Sequence, residues 1–325
     1  MTFITIEEPP LTPFEFLGED TVKQNAIKSF NETIQNINSS GHVLAEKLSR
    51  LHSNPIFMPN LEQRGLEIFI VIIACILLHF MILSILKRNK PGSKEIEYWR
   101  ESTQLLNMVV NFYLGMLGIY YHVFLRTSAD AESLEHTANQ WESFAIFGVG
   151  QAGYQIWSIA VGIYRIKEPL TMIMHHISVV CVALISVVFT NGFRYYTAFF
   201  YGVAEISSVP LAMMNMFKNN PSLVQKYPTW NIIVKLTFAI LFLSVRVIFW
   251  APIMSTFLRL SYSLSSTCPT MLCAFYLRLF MFCATFLSLL QLFWAWKIIK
   301  GLLLMTGLIK KKSKLEKGMP SLKEE

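Results

Sequence analysis

Charged residues are scarce in this chain of 325 residues: Asp, Glu, Lys and Arg make up 15%, whereas hydrophobic residues make up 53%. An ordinary soluble domain carries about 25% charged residues. Cysteine is also rare, with 5 residues, and the 14% aromatic content excludes a disordered or collagen-like chain. The first twenty residues are acidic and lack the basic and apolar regions of a signal peptide. The composition therefore predicts a membrane protein whose own spans direct its insertion.

Apolar runs recur from residue 66 to residue 304 with short polar breaks. Because a bilayer-spanning helix needs about 20 apolar residues, the runs predict one all-α, polytopic membrane helix bundle of about seven transmembrane helices. The predicted spans are 66–86, 104–125, 143–164, 170–190, 195–217, 231–253 and 271–298, the last with a break near residues 297–300. Residues 1–63 form a segment with two short amphipathic helices, residues 64–302 the transmembrane domain, and residues 303–325 a basic tail.

Lys and Arg are distributed unequally between the two sides of the predicted bundle. Segments 87–103, 165–169, 218–230 and 297–325 hold seventeen of them, whereas the loops of the other side hold three, Arg126, Arg194 and Arg259. The positive-inside rule therefore predicts a cytosolic C-terminus and a lumenal N-terminus. Glycosylation sequons at Asn31 and Asn38 lie in that lumenal segment.

The basic residues lie at span ends rather than in a soluble patch, so we expect membrane lipids and no nucleic acid as partners. The sequence does not fix the oligomeric state. Cys75, Cys181 and Cys283 fall inside spans and are interpreted as apolar fillers, whereas Cys268 and Cys273 form either a local disulfide or structural thiols. Neither an HExxH motif nor a pair of metal-ligating cysteines is present, so no metal or resident cofactor is predicted.

Polar side chains recur within the spans, where they normally face the interior of a bundle. With a rise of 1.5 Å per residue, the histidine pair lies about 8 Å, Gln155 about 13 Å and Glu205 about 18 Å from the cytosolic face. One cavity open to the cytosol is therefore predicted. An alternative is that the amides only join helices by hydrogen bonds. The candidate ligand-binding residues are Asn107, Asn111, Gln151, Tyr154, Gln155, Tyr201 and Ser208, with Gln104 and Ser158 on the same polar stripes.

His175 and His176 are adjacent in span four and point about 100° apart, so at least one faces protein or water. Two neutral imidazoles can accept or relay a proton near pH 7. Arg246 lies at a depth similar to that of Glu205, which predicts a structural ion pair. The remaining intramembrane basic residues, Lys235, Arg278, His79 and His122, are assigned no function.

Five ordered motifs carry a family resemblance: GYQIW, HHISVVCVALISVV, AEISSVPLAMMN, LTFAILFLSVRVIFWAP and LLQLFWAWKIIKG. Together they resemble the TLC domain of TRAM, Lag and CLN proteins over residues 64–302. The EISSVPL element is more similar to the small TLC-domain-containing branch than to the ceramide synthases. The resemblance implies a multi-pass protein of the endoplasmic reticulum that acts in lipid metabolism or lipid sensing.

In ceramide synthases, paired histidines and a later acidic motif support acyl transfer from acyl-CoA to a sphingoid amine. His175 and His176 match the pair and Glu205 the first acidic group, which makes these three the catalytic candidates. Ser208 replaces the second acidic group and Ser158 replaces an Asp, which weighs against acyl transfer. The first hypothesis is therefore binding or sensing of an acyl lipid. The alternatives are an N-acyltransferase with acyl-CoA as co-substrate, in which Glu205 orients an imidazole or the amine, and a translocon-associated TRAM-like factor.

Overall fold

The computed structural model describes residues 61–125, 142–189, 193–266 and 271–305. These ranges are helical and contain no strand. The predicted amphipathic helices, the sequons at Asn31 and Asn38, and nearly all of the basic tail lie outside them. The α-helices are α1 (Leu61–Asn89), α2 (Glu95–Tyr120), α3 (Ala145–Val161), α4 (Leu170–Leu184), α5 (Arg194–Phe200), α6 (Ser208–Asn219), α7 (Pro221–Lys226), α8 (Pro228–Leu243), α9 (Trp250–Ser266) and α10 (Met271–Met305).

Shorter turns extend or join several of these helices. π-helical turns follow α2, α3, α4 and α8 at Tyr121–Leu125, Gly162–Ile166, Ile185–Phe189 and Ser244–Phe249, and 3-10 turns occupy Glu142–Phe144 and Val203–Ser207. The π turn after α8 leads directly into α9, so that Pro228–Ser266 forms one helix of 39 residues.

Five helices of the described ranges are long and apolar enough to cross a membrane: Leu61–Asn89, Leu170–Phe189, Arg194–Asn219, Pro228–Ser266 and Met271–Leu304. The predicted all-α membrane bundle is thereby confirmed. Helices α2 and α3 occupy the second and third predicted spans but are not among the five. The count of seven spans and the orientation of the bundle therefore stay predictions.

The structure changes the predicted helix ends in two places. Helix α10 continues without interruption to Met305, so the predicted break near residues 297–300 is wrong. One glycine, Gly301, weakens a helix by only about 1 kcal/mol, and its apolar neighbours favour helix. The sixth span is also longer than predicted, because the chain continues as helix beyond residue 253 to Ser266.

The fifth span is interrupted between α5 and α6, where Gly202 lies directly against Gly118 of α2. A Cβ atom at Gly118 would lie 2.4 Å from the Gly202 Cα, and one at Gly202 would lie 2.5 Å from the Gly118 Cα. Real Cβ atoms do not approach so closely, so both positions require glycine. The contact brings α2 against the 3-10 turn that carries Glu205.

A second packing feature surrounds His79, which is 1% exposed. Its ring lies between those of Trp99 and Trp157, with centroids 4.8 and 5.3 Å away, and its Nε2 atom lies 3.2 Å from the Ser102 hydroxyl. These neighbours could not be predicted from the sequence, because all three contacts join residues from different helices. Its surroundings make it a core histidine.

The described cysteines are of two kinds. Cys273 is disulfide-bonded, which agrees with the disulfide interpretation for this end of the bundle, although Cys268 itself lies outside the described residues. Cys75, Cys181 and Cys283 are free. Within the described ranges, no group of three or more His, Cys, Asp or Glu side chains is placed to hold a metal ion.

Candidate functional site

A cavity of about 270 Å³ lies between α2, α3, α4, α6, α8 and α10. This volume is close to the lower end of ligand pockets, which span about 300–1,000 Å³. The cavity brings together residues that are as many as 194 positions apart in the chain, from Gln104 to Ile298. Its walls include these sequence candidates: Gln104, Asn107, Asn111, Tyr154, Gln155, His175, His176, Glu205, Ser208 and Arg246.

Three residues of the predicted polar stripes lie elsewhere. Gln151 does not line this cavity; it accepts a hydrogen bond from Gln155 Nε2 at 3.1 Å and donates one to the Tyr201 carbonyl at 3.4 Å. Tyr201 lines a second, adjoining cavity. Ser158 is buried away from both. A stripe on one helix face covers several turns, and only part of its length reaches a cavity of this size.

Arg246 and Glu205 form a buried ion pair, with 3.1 Å between Arg246 Nη2 and Glu205 Oε2. The same Nη2 donates to the Ser208 hydroxyl at 3.1 Å, and that hydroxyl donates to Glu205 Oε2 at 2.7 Å. Arg246 Nε donates to the Ser207 hydroxyl at 2.8 Å and to the Ala204 carbonyl at 3.1 Å. Every one of these acceptors belongs to the interrupted fifth span.

Local backbone geometry explains how this network forms. Glu205 and Ser207 lie in the 3-10 turn Val203–Ser207, and Arg246 lies in the π turn Ser244–Phe249. Irregular backbone at membrane depth is tolerated where it is buried in protein and its polar groups are satisfied. Arg246 supplies a donor to the Ala204 carbonyl at this irregular place. It therefore stabilises both the Glu205 charge and the interrupted backbone.

The histidine pair lies beside a carboxylate that the sequence did not single out. His176 Nε2 is 3.2 Å from Glu168 Oε2, although the two are not oriented as a hydrogen bond. The rings of His175 and His176 have centroids 5.6 Å apart, and His175 meets Trp294 edge-on at 5.2 Å. Glu168 is thus a carboxylate next to an imidazole, and Glu205 pairs with Arg246. The role expected of Glu205, orienting an imidazole or the amine, stays a prediction.

Glu168 is positioned by the turn between α3 and α4. Lys167 adopts a left-handed conformation with φ of 54°, the Glu168 amide donates to the Gly162 carbonyl at 2.9 Å, and Pro169 is the N-cap residue of α4. A Cβ atom at Gly162 would lie 3.0 Å from Glu168 Oε2, so this glycine leaves room for the carboxylate. The signal in the sequence was the dipeptide Glu-Pro immediately before the span that carries both histidines.

Six buried polar atoms in the cavity wall have no hydrogen-bond partner among the described residues. They belong to both imidazoles, three side-chain amides and one carboxylate: His175 Nδ1, His176 Nδ1, Asn107 Oδ1, Asn111 Oδ1, Gln155 Oε1 and Glu168 Oε2. Buried polar groups in folded proteins are nearly always paired, and each exception calls for an explanation. The four oxygens are acceptors, so a ligand that donates hydrogen bonds would complement them.

The second cavity is smaller, about 40 Å³, and mostly apolar. It shares His175, Glu205 and Arg246 with the first cavity, so the two adjoin there. Its other walls come from α4, α5, α9 and α10 and include Val182, Phe257 and Phe280. A polar compartment thus meets an apolar compartment across three ionisable residues.

The bundle and its adjoining polar and apolar cavities define a polytopic membrane protein with an amphipathic internal cavity. The TLC-domain family model matches residues 99–300, more than half of the chain, and the chain therefore belongs to the TLC-domain family. The resemblance seen in the sequence is confirmed at this level, whereas the smaller branch stays a prediction. Family membership indicates a lipid-related function in a membrane. A search of curated protein sequences finds no match to the chain.

Proposed function

We propose that the chain binds an amphiphilic acyl lipid within the bundle and acts in lipid homeostasis. The polar head would occupy the larger cavity, and the start of the acyl chain would enter the apolar cavity beyond His175. The observation that supports this proposal is the set of unpartnered acceptors directly adjoining an apolar compartment. Hydroxyl or amine donors on the head would satisfy acceptors that the described protein residues leave unpaired.

A matched pair of variants tests occupancy of the cavity. Leu211 lines it, whereas Leu170 is 73% exposed at the start of α4. Native mass spectrometry would compare the lipids that co-purify with the wild-type protein, Leu211→Trp and Leu170→Trp. We expect Leu211→Trp to lose bound lipid, because the indole fills the cavity, and Leu170→Trp to retain it. Equal lipid occupancy in both variants, at unchanged thermal stability, would contradict the proposal.

Acyl-CoA-dependent N-acyltransfer is a second candidate, which the contact between Glu168 and His176 favours. In that reaction the amine nitrogen attacks the thioester carbon, the carbon–sulfur bond breaks, and the thiol leaves with the proton that an imidazole took from the amine. A carboxylate beside an imidazole stabilises its protonated form, which suits His176 as the general base. No metal or resident cofactor takes part in this scheme.

Purified protein incubated with acyl-CoA of several chain lengths and a sphingoid base would test the second candidate. His175→Ala combined with His176→Ala should abolish transfer, and Glu168→Gln should lower kcat by about 10²–10⁴-fold if it acts through the base. Trp294→Phe keeps an aromatic ring beside His175 and serves as the control. Absence of turnover by the wild-type protein would exclude this candidate without affecting lipid binding.

A further inference from the structure

Gln291 is a buried amide in the wall of the apolar cavity. Its residue is 1% exposed, and its Oε1 atom has no hydrogen-bond partner among the described residues. Most of its neighbours in that wall are apolar side chains, among them Val182, Met254 and Leu287. An unpaired amide in such surroundings disfavours folding. Its presence there therefore indicates that a bound molecule forms a hydrogen bond with it.

The position of Gln291 along α10 places it just past the boundary between the two cavities. Leu287, Gln291, Trp294 and Ile298 follow the spacing of one helix face. The first two line the apolar cavity, and the last two line the polar cavity. Gln291 is one turn from Trp294, which corresponds to about 4.5 Å along the helix axis. Trp294 in turn contacts His175, which lines both cavities.

We propose that Gln291 selects a lipid whose chain carries a hydroxyl group on one of the first carbons beyond the polar head. The proposal rests on the proposed lipid-binding function and names the class of chain that the site prefers. A hydroxyl both donates and accepts a hydrogen bond, so it pairs with a glutamine amide in either orientation. A plain acyl chain would leave Oε1 unpaired in a desolvated cavity.

Water is the competing partner for this amide. A cavity of about 40 Å³ holds a few water molecules, since each requires about 10–15 Å³. A buried water also needs two to four polar partners, and among the described residues of this wall Gln291 is accompanied by His175, Tyr201, Glu205 and Arg246, of which Glu205 and Arg246 already pair with each other. Water and a ligand hydroxyl are distinguished by which lipids bind. If water pairs with Gln291, the affinity for a lipid does not depend on a hydroxyl group on its acyl chain. If a ligand hydroxyl pairs with Gln291, the affinity does depend on that group.

The test uses the full chain in nanodiscs of phosphatidylcholine and two probes, monoacylglycerols with a palmitoyl or a 3-hydroxypalmitoyl chain. Binding competition would be measured for the wild-type protein, Gln291→Met and Leu287→Met. We expect the wild-type protein to prefer the hydroxylated probe by about twofold to twelvefold, the range for one net hydrogen bond. Gln291→Met should lose the preference, whereas Leu287→Met changes the same wall without changing its polarity and should keep it.

Equal binding of both probes by the wild-type protein would overturn this assignment and would indicate that water satisfies Gln291. A preference that survives in Gln291→Met would overturn it as well. Binding of neither probe would overturn the lipid-binding proposal on which this one rests. Gln291→Leu provides a second apolar variant in case Gln291→Met does not fold, and the thermal stability of each variant is measured in the same nanodiscs.

Discussion

Arg246 has more hydrogen-bond partners in the site than any other side chain described there. It pairs with Glu205 and donates to Ser207, Ser208 and the Ala204 carbonyl. Removing one partner of a buried ion pair leaves an uncompensated charge. Arg246→Ala should therefore lower the free energy of unfolding by about 3–5 kcal/mol. Denaturant unfolding in detergent micelles, followed by tryptophan fluorescence, measures this difference.

The control for Arg246→Ala removes both charges together. Arg246→Met combined with Glu205→Gln leaves no unpaired charge and should be less destabilising than Arg246→Ala alone. If Arg246→Ala were as stable as the wild-type protein, the ion pair would contribute nothing to the free energy of unfolding. The stabilising role assigned to the hydrogen bonds around Ala204 would then be contradicted.

Residue depth along a span was predictable from the sequence, but contacts with turn residues were not. Counting the helical rise placed Arg246 and Glu205 at similar depths, and the structure pairs them. Glu168 lies outside the regular spans, so depth counting said nothing about it. Its contact with His176 depends on the left-handed conformation at Lys167, which a hydrophobicity pattern does not encode.

At the scale of elements, the contact between Gly118 and Gly202 fixes the crossing of α2 over the interrupted fifth span. Gly118→Ala and Gly202→Ala each place a methyl group within about 2.5 Å of backbone atoms. Overpacking of this kind costs about 1–3 kcal/mol, and more when backbone must move. We expect both variants to lower the thermal unfolding temperature and to reduce lipid retention, because Glu205 lies three residues from Gly202.

Gly301→Ala is the matched control for these two variants. Apart from its own helix backbone and chain neighbours, no atom of the described residues lies within 4 Å of the Cβ position there, and the residue is helical. Alanine should leave stability unchanged or raise it by up to about 1 kcal/mol. Destabilisation by Gly301→Ala equal to that by Gly118→Ala would show that the loss of stability does not come from the close contact between α2 and the fifth span.

The positions of the membrane helices could be predicted from the sequence, whereas the interruption of the fifth span could not. Apolar runs of about 20 residues predicted the membrane helices, because their composition follows directly from the solvent that they cross. The interruption at Tyr201 and Gly202 lies within an apolar run and results from a tertiary contact with α2. Polar residues near the end of a span suggest that the helix breaks there, but they do not cause a break. The continuity of α10 past Lys297 was therefore not predicted.

For the whole molecule, the unequal distribution of Lys and Arg predicts a lumenal N-terminus and a cytosolic C-terminus. Asn31 and Asn38 should then carry glycans in protein expressed in eukaryotic cells, since oligosaccharyl transfer occurs only in the lumen. Asn31→Gln combined with Asn38→Gln should abolish the mobility shift that endoglycosidase H produces. Sensitivity to this enzyme would also support the residence in the endoplasmic reticulum that the family resemblance implies.

A sequon introduced into segment 87–103 is the reverse test, because that segment is predicted to be cytosolic. It should remain unmodified. Glycosylation there, with none at Asn31 or Asn38, would mean that the bundle is inserted in the opposite orientation and that the cavity faces the other leaflet.

The helix Pro228–Ser266 has 39 residues and is therefore about 58 Å long, nearly twice the hydrocarbon thickness of about 30 Å. Such an excess is accommodated by tilt, by emergence from the bilayer or by local thickening. Arg246 lies near the middle of this helix, so any change in tilt is transmitted to the residue that pairs with Glu205. The geometry of the site is thus linked to the thickness of the surrounding membrane, which itself depends on the lengths of the acyl chains present.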